Sequence, residues 1–248
     1  MLVDKKFISM CSQLMINSYK GKYGKVVDIL DTSKDFIIKE VDGYIGTKDD
    51  TLFIVFKGSD GFQDWIDNFK FDQVSYPYLN DKTLKVHDGF IHQYGLVRNY
   101  IHSYVQSYEK VVILGHSLGG ALSLLCSFDI KLEFPNKDIV CVPFAAPKVG
   151  NPKFAKKYED LLIDTYRFTY KNDLVPRVPP WWTIFPPFFV NYKQTAKEHW
   201  LCDVDLRTEF MKEPVQTIFG NIFDHYPNLY DYAINNYKYD LNSERNVK

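Results

Sequence analysis

At 248 residues with 46% apolar side chains, the chain is long enough to bury the core of one large domain. A formal net charge of −1 removes any electrostatic reason to expect nucleic acid or an acidic membrane as a partner. Cys11, Cys126, Cys141 and Cys202 show no C-x-x-C or Cys/His metal spacing, so no metal is expected, and no apolar run reaches the ~20 residues of a membrane-spanning helix.

The chain begins with a basic pair, Lys5-Lys6, and a short apolar stretch. Ser9, Ser12 and Gln13 interrupt that stretch, and no small-residue cleavage site follows. Phe7, Met10, Cys11, Leu14 and Met15 recur at helical spacing, which predicts an amphipathic first helix. With no leader and no disulfide pattern, the expected location is the cytoplasm rather than outside the cell. Phe36 to Gly46 reads as extended, and Lys48-Asp49-Asp50 as a turn. Leu52 to Phe56 is a continuous apolar run, the pattern of a strand covered on both faces. Phe90, Tyr94, Val97, Ile101, Val105 and Tyr108 form a helical stripe.

Val111 to Leu114 reads as another buried strand, and Leu118 to about Phe134 as a helix. Ile139 to Phe144 and Thr165 to Tyr170 are further strands, with a helix opening at Asn151-Pro152 between them. Pro176 to Val190 is a loop rich in proline and aromatics, and Trp200 to Leu206 a last strand. The alternation of strands and helices predicts an α/β fold with a mainly parallel central sheet flanked by helices on both faces. No repeat or linker divides it, so one domain is expected over residues 1–236, with a polar, flexible tail over 237–248.

The most informative segment joins the strand Val111–Leu114 to its following helix through Gly115-His116-Ser117-Leu118-Gly119. A G-x-S-x-G sequence between strand and helix is a nucleophile elbow. Its turn is tight enough to force Ser117 into a strained backbone conformation, and the glycines let strand and helix approach closely. Ser117 Oγ then stands beside a helix N-terminus, where free N–H groups favour developing negative charge.

A serine hydroxyl is a weak nucleophile at neutral pH and requires a histidine base oriented by a carboxylate. Behind such an elbow the chain order is Ser, then Asp or Glu, then His. His87, His92 and His102 precede Ser117, and His116 is set to point away from Oγ. His199 and His225 remain. His225 follows the last strand, where a loop can carry it back over the sheet, and is favoured over His199 at a strand edge. Asp173 follows the strand Thr165–Tyr170 and so falls on the same sheet edge as Ser117. The residue after the nucleophile, Leu118, supplies one backbone N–H to an oxyanion hole. The Gly58-Ser59 turn after the strand Leu52–Phe56 supplies the other.

These residues, with Asp64-Trp65, Val86-His87-Asp88-Gly89-Phe90, Phe144 to Asn151, Asn172 to Pro180 and Asp224-His225-Tyr226, make the chain resemble the fungal-type (class 3) lipases. The resemblance covers about Phe7 to Tyr230. It implies an α/β-hydrolase fold, a Ser117–Asp173–His225 triad, oxyanion donors at Ser59 and Leu118, and a lid at about Gly61 to Phe69. Phe62, Trp65, Ile66 and Phe69 share one helical face there, which suits either a lid that opens at lipid or a helix fixed in the core. Trp181 and Trp182 head an aromatic loop that either lines an acyl groove or packs over the sheet edge.

The expected activity is hydrolysis of lipid acyl esters, acylglycerols foremost, through an acyl-enzyme on Ser117. A phospholipase A1 or general esterase of the same fold, and an inactive lipid-binding protein, are the alternatives. No cofactor is expected. The expected partner is a lipid or other acyl-ester substrate, with transient contact to a lipid surface and no protein partner.

Overall fold

A computed structural model describes residues 1–20, 29–59, 71–179, 183–185, 188–202, 223–237, 239 and 241. Its helices are α1 (Lys5–Asn17), α2 (Asp88–Val105), α3 (Leu118–Glu133), α4 (Pro152–Asp160) and α5 (Pro227–Asn236). Its strands are β1 (Thr32–Ile38), β2 (Val41–Lys48), β3 (Thr51–Phe56), β4 (Gln73–Ser75), β5 (Lys85–His87), β6 (Lys110–His116), β7 (Asp138–Phe144), β8 (Asp164–Thr165), β9 (Arg167–Tyr170), β10 (Thr183–Phe185), β11 (Phe188–Val190) and β12 (Glu198–Leu201).

The central sheet runs β1-β2-β3-β6-β7-β9-β12, with β8 beside β7. From β3 onward every neighbour is parallel, whereas β1, β2 and β3 pair antiparallel. Strand periodicity sorts the core into two layers. Leu52, Ile54 and Phe56 of β3, with Val111 and Ile113 of β6, join a cluster containing residues of α2, α3 and α4. Phe53, Val55, Val112 and Leu114 point the other way, into a cluster containing residues of α1 and α5. A sheet covered on both faces explains why these strands are apolar throughout, as the sequence predicted.

Local chemistry sets the helix starts. The Asp4 side chain accepts from the Phe7 N–H at α1, and Asn151 accepts from the Phe154 N–H at α4, with Pro152 in the first turn. None of the helices among the described residues is long and apolar enough to cross a membrane.

Three segments differ from the sequence expectation. The extended segment Phe36–Gly46 is a hairpin, β1 turning into β2 at Lys39-Glu40 with Lys39 at φ 56°. Nothing there carries the glycine or asparagine that normally marks such a turn. The loop Pro176–Val190 contains a short helical turn at Val175–Arg177 and the β10–β11 hairpin. Within the tail expected at 237–248, Tyr239 is buried, and Tyr237 and Leu241 pack against the α1/α5 layer.

Candidate active site

Ser117 sits between β6 and α3 at φ 58°, ψ −123°, the strained conformation expected of the elbow. Its N–H donates to the Phe144 carbonyl on β7, and its carbonyl accepts from Ala121 in the first turn of α3. Close packing holds this geometry. A Cβ on Gly119 would meet the Phe56 and Lys57 carbonyl oxygens, and one on Gly115 would meet the Gly119 carbonyl. Gly119→Ala therefore has no room. We expect it to cost about 2 kcal/mol and to lower Tm by about 4–8 °C, read by thermal unfolding.

Asp173 lies just past β9 and is 3% exposed. Its carboxylate accepts from three sides. His225 Nδ1 lies 2.9 Å from Oδ2 and 3.1 Å from Oδ1. The Tyr230 hydroxyl donates to Oδ2 at 2.6 Å, and the Val175 N–H donates to Oδ1 at 2.9 Å. Tyr230 in turn accepts from the Tyr170 N–H at 3.0 Å, tying the acid to both β9 and α5. Burial and the adjacent Asp173 carboxylate push the Tyr230 phenol well above its ordinary value, so it stays a donor.

His225 closes the helical turn Phe223–His225 that leads into α5 and is 4% exposed. Asp224, beside it, accepts from the Asn172 N–H at 3.1 Å, which joins this turn to the one carrying Asp173. With Asp173 holding a proton on Nδ1, His225 Nε2 is the base-competent nitrogen. Ser117 Oγ is buried and forms no hydrogen bond among the described residues. A serine–histidine bond of this kind commonly tightens only once substrate is bound.

Ser59 follows Gly58 in the turn after β3, and Leu118 opens α3. A Cβ on Gly58 would meet the His116 carbonyl oxygen and Ser117 Cβ, so this turn lies against the elbow. The structure thus brings Ser117, Leu118 and the Gly58-Ser59 turn together, and Asp173 with His225. Residues 61–69, including Phe62, Trp65, Ile66 and Phe69, lie outside the described residues, as do Trp181 and Trp182.

The remaining histidines have other surroundings. His199 on β12 pairs in register with Phe168 and stacks on Tyr166 at 5.7 Å. His87 accepts from the Phe90 N–H at the start of α2, and His102 bonds Asp129. Tyr230 and Tyr19 are site neighbours that sequence reasoning missed, and the contact of Asp224 with the Asn172 N–H was not foreseen. The one signal at Tyr230 is a polar-tipped aromatic close behind the candidate histidine, and buried tyrosines usually find a hydrogen-bond partner.

The parallel sheet, the two helical layers and the strained serine at a strand–helix turn define an α/β-hydrolase fold. The triacylglyceride lipase of Rhizomucor miehei superposes with a TM-score of 0.69 at 24% identity, covering 90% of this chain and 94% of that one. The profile of the family Lipase (class 3) matches residues 53–182, and the chain belongs to that family. A lipase from Rhizomucor miehei is 33% identical over 168 residues, 64% of this chain and 44% of the relative. The secreted mono- and diacylglycerol lipase 1 of Fusarium solani is 29% identical over 156 residues, 60% of this chain and 44% of the relative. The chain thus spans less than half the length of these relatives.

The secreted relative overturns the expected cytoplasmic location. That expectation rested on the lack of a clear leader together with cysteine usage, and cysteine usage is a poor guide here. Cys11, Cys126, Cys141 and Cys202 are all buried packing residues with no disulfide among them. Burial pushes the Cys141 thiol up to about 11, away from reactivity.

Proposed function

We propose that the protein is a serine carboxylester hydrolase of lipid acyl esters, acylglycerols foremost. Residues 1–236 belong to its single domain, and Tyr237, Tyr239 and Leu241 pack onto it. The observation that carries this reading is the buried Asp173–His225 pair at 2.9 Å on the same sheet edge as a serine strained at φ 58°. His225 Nε2 takes the Ser117 proton as Oγ bonds to the ester carbonyl carbon. The Ser59 and Leu118 N–H groups hold the resulting oxyanion. Collapse breaks the bond to the alcohol, which leaves with the proton from His225. Water, deprotonated by His225, then attacks the acyl-enzyme and restores Ser117. The names of the relatives support a lipid ester as substrate and an extracellular site of action.

A fluorophosphonate probe tests the chemistry. It is expected to label one serine, recovered by mass spectrometry in the peptide containing Ser117. A panel of tri-, di- and monoacylglycerol, phosphatidylcholine and a short soluble ester then reads the substrate class. Turnover of phosphatidylcholine above every acylglycerol would move the assignment to a phospholipase A1. An absence of both labelling and turnover overturns the reading.

A further inference from the structure

We propose that Tyr19 and His116 form a positioning pair that fixes the His225 imidazole and the Gly58-Ser59 turn around the elbow; this rests on the triad reading above. His116 is the variable residue of G-x-S-x-G, and its backbone position directs it away from Ser117 Oγ. That direction brings its ring against His225, with centroids 4.6 Å apart and planes inclined by 35°. The edge of Tyr230 closes another side at 5.6 Å and 74°, and the Tyr19 ring meets His116 edge-on at 5.8 Å and 76°.

Tyr19 arrives from an element remote in sequence from the triad. It follows the end of α1, where its N–H donates to the Ile16 carbonyl at 3.1 Å and the preceding Ser18 hydroxyl donates to the Met15 carbonyl at 2.7 Å. Its hydroxyl lies 2.8 Å from His116 Nδ1. The same hydroxyl lies over the oxyanion turn, because a Cβ on Gly58 would run into it as well as into the His116 carbonyl and Ser117 Cβ. One phenol therefore touches both the turn that offers the Ser59 N–H and the ring beneath the candidate base.

Two consequences follow for the reaction. His225 becomes cationic when it takes the serine proton, and His116 faces it within stacking distance. Burial holds the His116 imidazole well below its ordinary value, and His225 beside it pushes the same way. His116 therefore presents a neutral aromatic face to the imidazolium rather than a competing charge. In this reading the Tyr19 hydroxyl donates to Nδ1, which leaves the His116 proton on Nε2 and fixes the tilt of the ring. Glycine at position 58 is required because any side chain there would displace the phenol.

Tyr19→Phe keeps the ring and removes the hydroxyl. On a short soluble ester, kcat is expected to fall about tenfold, a factor that one lost hydrogen bond supports, while KM stays within about twofold, the pattern of an interaction strengthened in the transition state. Nitrogen-15 NMR of the imidazoles is expected to show one neutral tautomer for His116 in the native chain and a mixture in Tyr19→Phe. The native chain and Ser117→Ala serve as controls. A native chain that neither labels with fluorophosphonate nor hydrolyses the ester sinks the triad reading. A labelling-competent native chain whose Tyr19→Phe variant keeps its kcat and its His116 tautomer sinks this inference alone. A loss of kcat that only tracks a loss of folded protein, with the tautomer unchanged, reduces the pair to a structural contact and also overturns it.

Discussion

Ser117→Ala is expected to lower kcat on soluble acyl esters by about 10⁶-fold, the scale on which removal of a serine nucleophile acts in a serine protease. Fluorophosphonate labelling should vanish with it. Stability should hold or rise slightly. Ser117 Oγ is a buried polar atom with no hydrogen bond among the described residues, so its removal ends a desolvation cost without breaking a contact. The backbone strain at φ 58° falls on alanine as it does on serine. Asp173→Asn separates orientation from nucleophilicity. It leaves Ser117 in place but turns an acceptor at His225 Nδ1 into a group that can present N–H instead, favouring the wrong tautomer, for which a loss of about 10⁴ in kcat is the precedent. The two losses should not multiply in the double variant, because the residues act as a unit. Steady-state kinetics with thermal unfolding reads all of this. Retention of native kcat by Ser117→Ala would remove the nucleophile assignment, whatever happened to stability.

The elbow was legible because its information is local. Strand, glycines, serine and helix stand side by side in the sequence, and each constrains the same turn. Asp173 and His225 were legible one step further out, through chain order and the rule that C-terminal strand ends share an edge. The two side chains meet at 2.9 Å. Tyr19 and Tyr230 were not legible. Each is an aromatic near or within an amphipathic helix, and the sequence alone reads that as core packing. Their roles arise from tertiary placement, because α1 and α5 lie together on one face of the sheet and bring both phenols beside the elbow and the acid. The β1–β2 hairpin was hidden for a different reason. Lys39 adopts a positive φ without any residue type that prefers it, so tertiary pairing overrides local preference there. The location rested on the lack of a clear leader and on a cysteine count, and a cysteine count speaks about redox compartment only when the cysteines are free to choose between thiol and disulfide. These four are fixed by packing.

The largest effect expected on stability lies on the other side of α3. Asp129 is 1% exposed and sits in the α2/α3 layer. The Tyr76 hydroxyl donates to it at 3.0 Å and the Tyr94 hydroxyl at 2.7 Å. Arg98 donates from Nε at 2.8 Å and from Nη2 at 3.2 Å, and His102 Nε2 lies 2.7 Å away. Asp129→Ala leaves these donors facing a cavity, with the Arg98 guanidinium only partly exposed to water. Removing one partner of a buried ion pair typically costs about 3–5 kcal/mol, which lowers Tm by roughly 6–20 °C at this chain length. The pH dependence carries a sign. Burial alone would raise the Asp129 carboxyl, but hydrogen bonds from His102, Arg98 and Tyr94 outweigh it and leave the group below its ordinary value. A carboxyl depressed in the folded state contributes stability that is complete above its unfolded pKa of about 3.9 and is lost as pH falls through the folded value. Urea unfolding at about pH 5 of the native chain and of Asp129→Asn, which keeps the volume but cannot ionise, should therefore differ in favour of the native chain. The gap should narrow as the pH drops below about 4. A gap that stayed constant down to pH 3 would show that the carboxylate charge is not what holds α2 to α3, and that the hydrogen bonds alone do so.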